Sequence, residues 1–508
     1  MFLFIPLGGI GERFKKNNYQ KPKALINIFG KPIIFYLLDN LHLESIDFIY
    51  IAYNKEYSKY RFEDLLIKKY PHLTFRFFEL KENTRGATET LYLALKNLHD
   101  VEDCPFLSLD ADNFYTTNIV KLWNGTNSLI TFQDKNSNGS IYSYVELEKE
   151  QNKNINKNIN KNINKIINIV EKEKISNNAC CGAYGFSSYQ QLLKYSGYII
   201  EQNIKQKGEF YISGVVQEMI KNNISFDCLE INYEDWHCLG TPIQLKQFYN
   251  NYPKINVHNK KLIEHKRICF DLDNTLVSYP KIVNDYTSVE PIQKNIDYLK
   301  YLKRFGNTII IYTARKMKSS NGNIGKVMSN VGKITFDTLE KFDIPFDEIY
   351  FGKPYADVYI DDLALNCFDN MEKELGYYNE EIITRDFNNI EEITFETFKK
   401  TSDNLVGEIY YYKNIPVEIK DMFPLMLDYD EKNTWYIIEK IKGLSVTSLY
   451  LSELLTVDML KNIMNSIQRI QKTNIKNIDV DVDVNIETNI NIYENYCNKL
   501  EKRYKSYD

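Results

Sequence analysis

Residues 268–276 read ICFDLDNTL. An apolar run ends in two carboxylates, Asp271 and Asp273, the pattern of a buried strand that delivers polar groups at its carboxyl end. Working outward, TIIIYTAR (308–315) is a second apolar run, and its end places Thr313. DVYIDD (357–362) is a third, ending in Asp361 and Asp362, and FGKP (351–354) supplies Lys353 between them. Three strand ends of one parallel sheet thus bring four carboxylates, a hydroxyl and an ammonium to one edge.

That set suits phosphate chemistry. A carboxylate can attack phosphorus and form an aspartyl-phosphate, the role expected of Asp271. Asp273, two residues on, is placed to protonate the leaving oxygen and then activate water. Thr313 and Lys353 would bind phosphate oxygens and offset their charge. Crowded carboxylates call for a cation, and Mg2+ fits an all-oxygen set drawn from Asp271, Asp273, Asp361 and Asp362. With DLDNT, the Thr of YTAR, the Lys of GKP and the Asp pair in this order, the segment resembles haloacid dehalogenase superfamily phosphatases. In that family the second Asp of the first motif marks phosphohydrolases. The stretches between motifs are short, about 37 and 39 residues, so no large cap domain is expected.

Upstream, residues 1–250 alternate apolar strand patterns (FLFIPL, DFIYIAY, FRFFEL, PFLSLD) with helical ones (PIIFYLLDNL, ATETLYLALKNL). This alternation predicts βαβ units and a parallel sheet. The first strand runs into GGIGERF, where Gly8, Gly9 and Gly11 allow close backbone approach to phosphates and the following helix start adds amides. No Gly-Lys-Ser/Thr follows, so it is not a Walker A loop, and the dinucleotide fingerprint is also absent. KPKAL (21–25), GKPII (30–34), TRGATETLYLAL (84–95), SLDADNFY (108–115), GEFYISGVV (208–216) and WHCLGTP (236–242) follow in order.

Together these motifs resemble the sugar-phosphate nucleotidyltransferase family over about residues 1–250. The resemblance implies that Gly8, Gly9, Gly11, Arg13 and Lys23 form the nucleotide-phosphate site. It implies that Gly86 and Thr88 lie on the base side, that Asp112 is the metal Asp, and that Glu209 and Tyr211 hold the acceptor. The strand end at Asp110 and Asp112 itself offers two carboxylates suited to a triphosphate-bound Mg2+. One position departs from the family pattern: where a second metal-binding Asp is usual, this chain has Cys238. Asp110 and Asp235 are the carboxylates available to compensate.

The rest of the chain is less regular. Residues 151–165 (QNKNINKNINKNINK) are a low-complexity insertion, 251–265 a polar linker, and 371–400 an acidic connector between a phosphatase-like domain at 266–370 and a last segment at 401–508. GEIYYYKNIP and WYIIEKIKG, read as Tyr-rich strands with Trp435 in their core, resemble the N-lobe and hinge of aminoglycoside/choline kinases. A helical pattern, DMLKNIMNSIQRIQK (458–472), follows. No H-x-D-x-x-x-x-N catalytic loop occurs, so that segment is expected to be truncated and inactive.

The 508 residues carry a net charge of −5, and their 39 Tyr and 28 Phe are not interleaved with basic patches, so nucleic acid is not an expected partner. The eight Cys form no C-x-x-C pair, which suits a reduced, cytoplasmic protein. No apolar run reaches the ~20 residues that a membrane helix needs, and the apolar start MFLFIPLGG is too short for a signal peptide.

The fold class expected is therefore α/β, with two doubly wound parallel-sheet domains and a small α+β C-terminal segment. The function expected is that of a bifunctional enzyme of nucleotide-activated sugar or polyol synthesis. Its partners would be a nucleoside triphosphate (CTP, UTP, GTP or dTTP) and a sugar phosphate or phosphorylated polyol. The alternative is a phosphatase whose first domain binds nucleotide without transferring it.

Overall fold

The structure, a computed structural model, describes residues 1–135, 141–148, 164–251, 263–378, 389–394, 397–441, 443–451, 455 and 457–473. Most of the insertion (151–163) and most of the linker (252–262) lie outside these residues. The chain divides into two compact units, Met1–Ile383 with Lys442–Asp458, and Thr384–Ile441 with Met459–Asp508.

A nine-stranded sheet organises the first unit. Its strands are β1 (Phe2–Leu7), β2 (Phe48–Asn54), β3 (Phe75–Leu80), β4 (Phe106–Leu109), β5 (Ser128–Gln133), β6 (Ser143–Leu147), β7 (Asn164–Glu171), β8 (Asn178–Phe186) and β9 (Phe226–Glu230), in the order β3-β2-β1-β4-β8-β5-β9-β7-β6. The predicted parallel βαβ half is present: β3, β2, β1 and β4 are parallel neighbours. All seven residues of β2 are buried, because helices cover both faces of a parallel sheet.

The other half corrects the expectation of a purely parallel sheet. β8 runs antiparallel to both β4 and β5, and β7 antiparallel to β6 and β9. Between Gln133 and Asn178 no helix intervenes among the described residues. The described links between these strands carry no crossover helix of the kind that usually joins parallel neighbours.

The phosphatase-like residues form a smaller parallel sheet in the same unit, β10 (Arg267–Asp271), β11 (Thr308–Thr313) and β12 (Glu348–Phe351), in that order. The helix Gln293–Arg304 connects β10 to β11 and buries Ile296, Leu299 and Leu302. A fourth strand at DVYIDD is not formed. Residues 355–366 are exposed, non-regular chain, with Ile360 96 % accessible, and β10 is left as an edge strand. One apolar core runs through both sheets, from Leu3 and Ile5 through Phe29 and Phe248 to Phe270, Leu299 and Phe305.

The second unit has a four-stranded antiparallel sheet, β13 (Asn389–Thr394), β14 (Thr397–Thr401), β15 (Met426–Tyr429) and β16 (Trp435–Glu439), in the order β13-β14-β16-β15. The expected connector 371–400 is thus partly structured: it holds the helix Met371–Leu375 and a strand hairpin. GEIYYYK is helical, not a strand, over Val406–Lys413. Leu405, Ile409 and Tyr412 recur at helical spacing and pack on Tyr436. Trp435 is half-buried, and Tyr436 rather than Trp435 enters the core.

Candidate functional site

The Gly-rich loop leaves β1 at its carboxyl end. Gly8 backs directly onto Thr84 and Thr90: a Cβ there would lie 2.2 Å from Thr90 Oγ1. Any side chain at Gly8 would push the first loop off the second. A Cβ at Gly9 would meet nothing within 4 Å, so the loop faces open space. Gly11 takes φ 65° and caps the helix Glu12–Lys16, a left-handed conformation that a side chain disfavours. Arg13 is exposed on that helix.

Lys23, in the short turn Lys23–Leu25, forms an ion pair with Asp112. Burial acts to lower the Lys23 pKa, but the Asp112 carboxylate outweighs it and the net shift is upward. Lys23 is therefore a firmly protonated cation. Asp110 sits behind, its N–H bonded to Gly182 O at 2.8 Å, with Gly182 at φ 80° where a Cβ would strike the carboxylate. Burial, then repulsion from Asp112, hold the Asp110 pKa well above the usual carboxylate range, against the pull of Lys23. The strand Trp236–Cys238 pairs with Asn113–Tyr115 and sets Cys238 beside this group. Burial and the Asp112 charge push the Cys238 thiol up to about 12, so it adds no negative charge at neutral pH. Gly240 permits the close passage: a Cβ there would lie 2.3 Å from Asp112 Oδ2. The two Asp235 oxygens accept hydrogen bonds from Thr116 Oγ1 and Asn232 Nδ2 at 2.9 and 3.0 Å.

The second loop and the GEFY segment form one wall. Gly86, at φ 150°, lies so close to Phe210 that a Cβ would come within 2.4 Å of its carbonyl oxygen. Thr88 N–H donates to the same carbonyl at 3.0 Å. The Thr88 hydroxyl is buried without a protein partner. Glu209 is exposed, and its backbone exchanges two 3.0 Å hydrogen bonds with Gln206. Tyr211 caps the helix Ile212–Lys221, and its hydroxyl meets Lys172 Nζ at 2.5 Å.

In the smaller sheet, the ends of β10, β11 and β12 bring four expected residues together. Lys353 Nζ donates to Asp271 Oδ2 at 2.5 Å, and Leu272 N–H holds Asp271 Oδ1 at 2.8 Å. Thr313 is buried, and its hydroxyl accepts from Arg315 N–H at 3.2 Å. Arg315 grips Asp273 with two nitrogens, Nε at 2.9 Å from Oδ2 and Nη2 at 2.8 Å from Oδ1. Burial raises the Asp273 pKa, and Arg315 only partly offsets it.

Residues 5–254 match the family described as "Nucleotidyl transferase". They are a nucleotidyl transferase domain. Over 105 residues the chain is 28 % identical to the bifunctional protein GlmU of Aquifex aeolicus. That alignment covers 21 % of this chain and 20 % of the relative, so the chain matches about a fifth of that protein's length. Among solved structures, a nucleoside-diphosphate-sugar pyrophosphorylase from Vibrio cholerae RC9 is similar, with 20 % identity over 49 % of this chain and 99 % of its own, and a TM-score of 0.43. The CTP:phosphocholine cytidylyltransferase of Streptococcus pneumoniae is similar at 16 % identity over 49 % of this chain and 98 % of its own, with a TM-score of 0.37.

The nucleotidyl transferase domain holds two residues that the motif reading passed over. Glu171 ends β7 and Lys172 follows it, in IVEKEK after the Asn/Lys repeat. Glu171 is buried and takes hydrogen bonds from Ser143 and Ser213, and Lys172 meets Tyr211. The signal available was a Glu-Lys pair at the end of an alternating apolar strand. Arg315, the last residue of YTAR, is the corresponding omission in the smaller sheet.

The expected metal ligands are only partly brought together. Asp361 and Asp362 are exposed and do not meet Asp271. Asp361 instead accepts from Leu363 N–H at 2.7 Å, because the strand that would carry the pair to the sheet edge is absent. Among the described residues no group of three potential ligands is close enough to enclose a metal. Two crowded carboxylates, Asp110 and Asp112, still fit Mg2+, which commonly takes one or two protein carboxylates and fills its shell from water and substrate phosphate. Among the described residues no helix is long and apolar enough to cross a membrane.

Proposed function

We propose that the protein is a bifunctional cytoplasmic enzyme of activated sugar or polyol synthesis, serving a surface glycan. In this reading the nucleotidyl transferase domain joins a nucleoside triphosphate to a sugar phosphate or phosphorylated small alcohol. The observation that carries it is the Lys23–Asp112 pair at the mouth of the Gly8–Gly11 loop. A phosphate oxygen of the acceptor attacks the α-phosphorus, the bond to the β-phosphate breaks, and pyrophosphate leaves. No covalent intermediate is needed, so positioning and charge offset supply the catalysis. Lys23 offsets phosphate charge, with Arg13 at the rim, and Gly8, Gly9 and Gly11 admit the phosphates to the backbone. Gly86 and Thr88 face the base, and Glu209 and Tyr211 the acceptor. Asp112 and Asp110 would hold Mg2+, which when bound neutralises charge on the triphosphate.

In the second activity, Asp271 attacks a phosphate monoester, the alcohol leaves with a proton from Asp273, and water then cleaves the aspartyl-phosphate. Thr313 and Lys353 hold the phosphate oxygens. Asp361 and Asp362 would join Asp271 and Asp273 in holding Mg2+, which would offset phosphate charge, were residues 357–362 paired along the open edge of β10. The exposed apolar side chains of Val358 and Ile360 and the exposed Cys269 on β10 support that pairing.

Pyrophosphate release is the test, with CTP, UTP, GTP and dTTP each offered against a panel of sugar and polyol phosphates. One productive pair, lost in Lys23→Met, is expected. Phosphate release from p-nitrophenyl phosphate, lost in Asp271→Asn, is expected for the second site. Cys238 favours one other reading, a domain that binds triphosphate without transferring it. In that case the wild type binds nucleotide and releases no pyrophosphate, whereas Cys238→Asp restores release with Mg2+.

A further inference from the structure

The segment that follows the phosphatase-like site reaches back into the nucleotidyl transferase domain. It grips the loop that carries Lys23. Phe29 and Gly30 form the two-residue turn between the short strands Asn27–Ile28 and Lys31–Pro32, with φ of 49° and 75°. A bulky residue at positive φ is strained and persists only when its surroundings hold it. Here the turn's two N–H groups donate to Gly376 O at 2.8 Å and Leu375 O at 2.9 Å. Asn27 Nδ2 donates to Glu374 O at 2.7 Å, and Lys21 pairs with the Glu374 carboxylate at 2.9 Å. Lys373 Nζ donates to Asn17 O at 2.8 Å, and the Tyr378 and Tyr19 hydroxyls meet at 3.2 Å.

The contacts at residues 17, 19 and 21 lie before Lys23, and those at 27, 29 and 30 lie after it. The segment therefore brackets Lys23 on both sides. Just upstream of it, Cys367 Sγ lies 3.5 Å from Asn274 O and 3.8 Å from Thr275 Oγ1, next to Asp273.

We infer that residues 371–378 are a positioning strap. The connector that follows the phosphatase-like domain supplies a part that sets the Lys23 loop for nucleotidyl transfer. The inference rests on the proposed transfer at that site. Lys23 acts by offsetting phosphate charge, and a small displacement of such a group lowers the rate steeply. Gly376 is the natural wedge point. It stands at φ 76°, and a Cβ there would lie 2.3 Å from Asn27 O and 2.6 Å from Ile28 Cα.

The test uses full-length Gly376→Ala, Glu374→Gln and Tyr378→Phe, none of which alters a residue of either site. Amide hydrogen exchange across residues 17–30 is expected to quicken in each. The kcat of pyrophosphate release is expected to fall about tenfold in Gly376→Ala and about threefold in Glu374→Gln. Hydrolysis of p-nitrophenyl phosphate should stay within about twofold of wild type, since the phosphatase residues are untouched. Lys21→Met should match Glu374→Gln, and the double variant should be no worse than either single one.

Unchanged exchange, or unchanged transfer in all three variants, overturns the strap. So does loss of both activities in step with the unfolded fraction. Gly376→Ala strains a left-handed position, so Glu374→Gln and Tyr378→Phe carry the test if it does not fold. If the wild type transfers nothing, the proposed function fails. Triphosphate affinity by calorimetry then replaces kcat, and equal affinity in wild type and variants overturns the strap as well.

Discussion

Asp110 sits in surroundings that disfavour its ionised form. It is half-buried beside a second carboxylate, and desolvation and repulsion together hold its pKa above the ordinary value of about 3.9. The folded state therefore keeps the Asp110 proton at pH values where the unfolded chain has lost it. Stability is lost as pH rises above about 4, and below that value no penalty exists. Asp110→Asn is expected to melt at a higher temperature than wild type at pH 7, with the difference closing at pH 4. A less stable variant at pH 7 would contradict this. Transfer activity should fall in the same variant, the usual trade between a strained site and stability. Arg315 presents the opposite case, a fully buried cation satisfied by Asp273. Arg315→Met leaves a mostly buried carboxylate unpaired and is expected to cost roughly 3 kcal/mol in urea denaturation. Adding Asp273→Asn should recover part of that loss, because the uncompensated charge is then gone. Arg315 stands in the YTAR run, and Lys172 lies beyond the Asn/Lys repeat in no motif at all. Their roles were illegible because each depends on a partner 42 or 39 residues away in sequence.

The legible elements were those whose burial writes itself into a short window. β1 and most of β2 read as apolar runs because parallel strands are covered on both faces. The helices Ile33–Asn40 and Ala87–Lys96 fell where the apolar period predicted. The antiparallel placement of β8 between β4 and β5 was not legible, since strand order is set by pairings far apart in the chain. GEIYYYK misled in another way: its β-prone tyrosines outweighed a helical spacing of Leu405, Ile409 and Tyr412. DVYIDD is the element whose expectation and observed conformation differ most. If it pairs parallel to β10 with Asp361 beside Asp271, then Tyr359 falls beside Cys269. Neighbouring strands lie about 4.8 Å apart, within the Cα range that a disulfide spans. Tyr359→Cys is therefore expected to form a bond to Cys269 under mild oxidation, seen as a shifted band that dithiothreitol reverses. Cross-linking should be faster when Mg2+ is present. No bond with or without Mg2+ would remove Asp361 and Asp362 from the site.

At the scale of the whole molecule, the first unit joins two sheets through an aromatic core. Phe29 of the nucleotidyl transferase domain stacks on Tyr249 with centroids 4.6 Å apart and lies 5.8 Å from Phe305 of the phosphatase-like part. Phe305 in turn packs edge-on against Tyr377 at 5.1 Å. Phe29 and Tyr377 are 1 % and 0 % exposed, so neither sheet could separate without opening a large apolar surface to water. Halves that share a core of this kind unfold together, whereas halves tied by a linker alone unfold separately. Pyrophosphate release and p-nitrophenyl phosphate hydrolysis should therefore be lost at the same temperature in a heating series. Phe305→Ala should cost about 3–5 kcal/mol. For a cooperative unit of this size that lowers the midpoint by about 5 °C. Phe305 belongs to the phosphatase-like part, so a shared transition requires the transfer activity to fall with it by the same amount. A variant that loses phosphate release early and keeps transfer to the wild-type temperature would show two independent domains. The aromatic contact would then be a surface between them and not a common core.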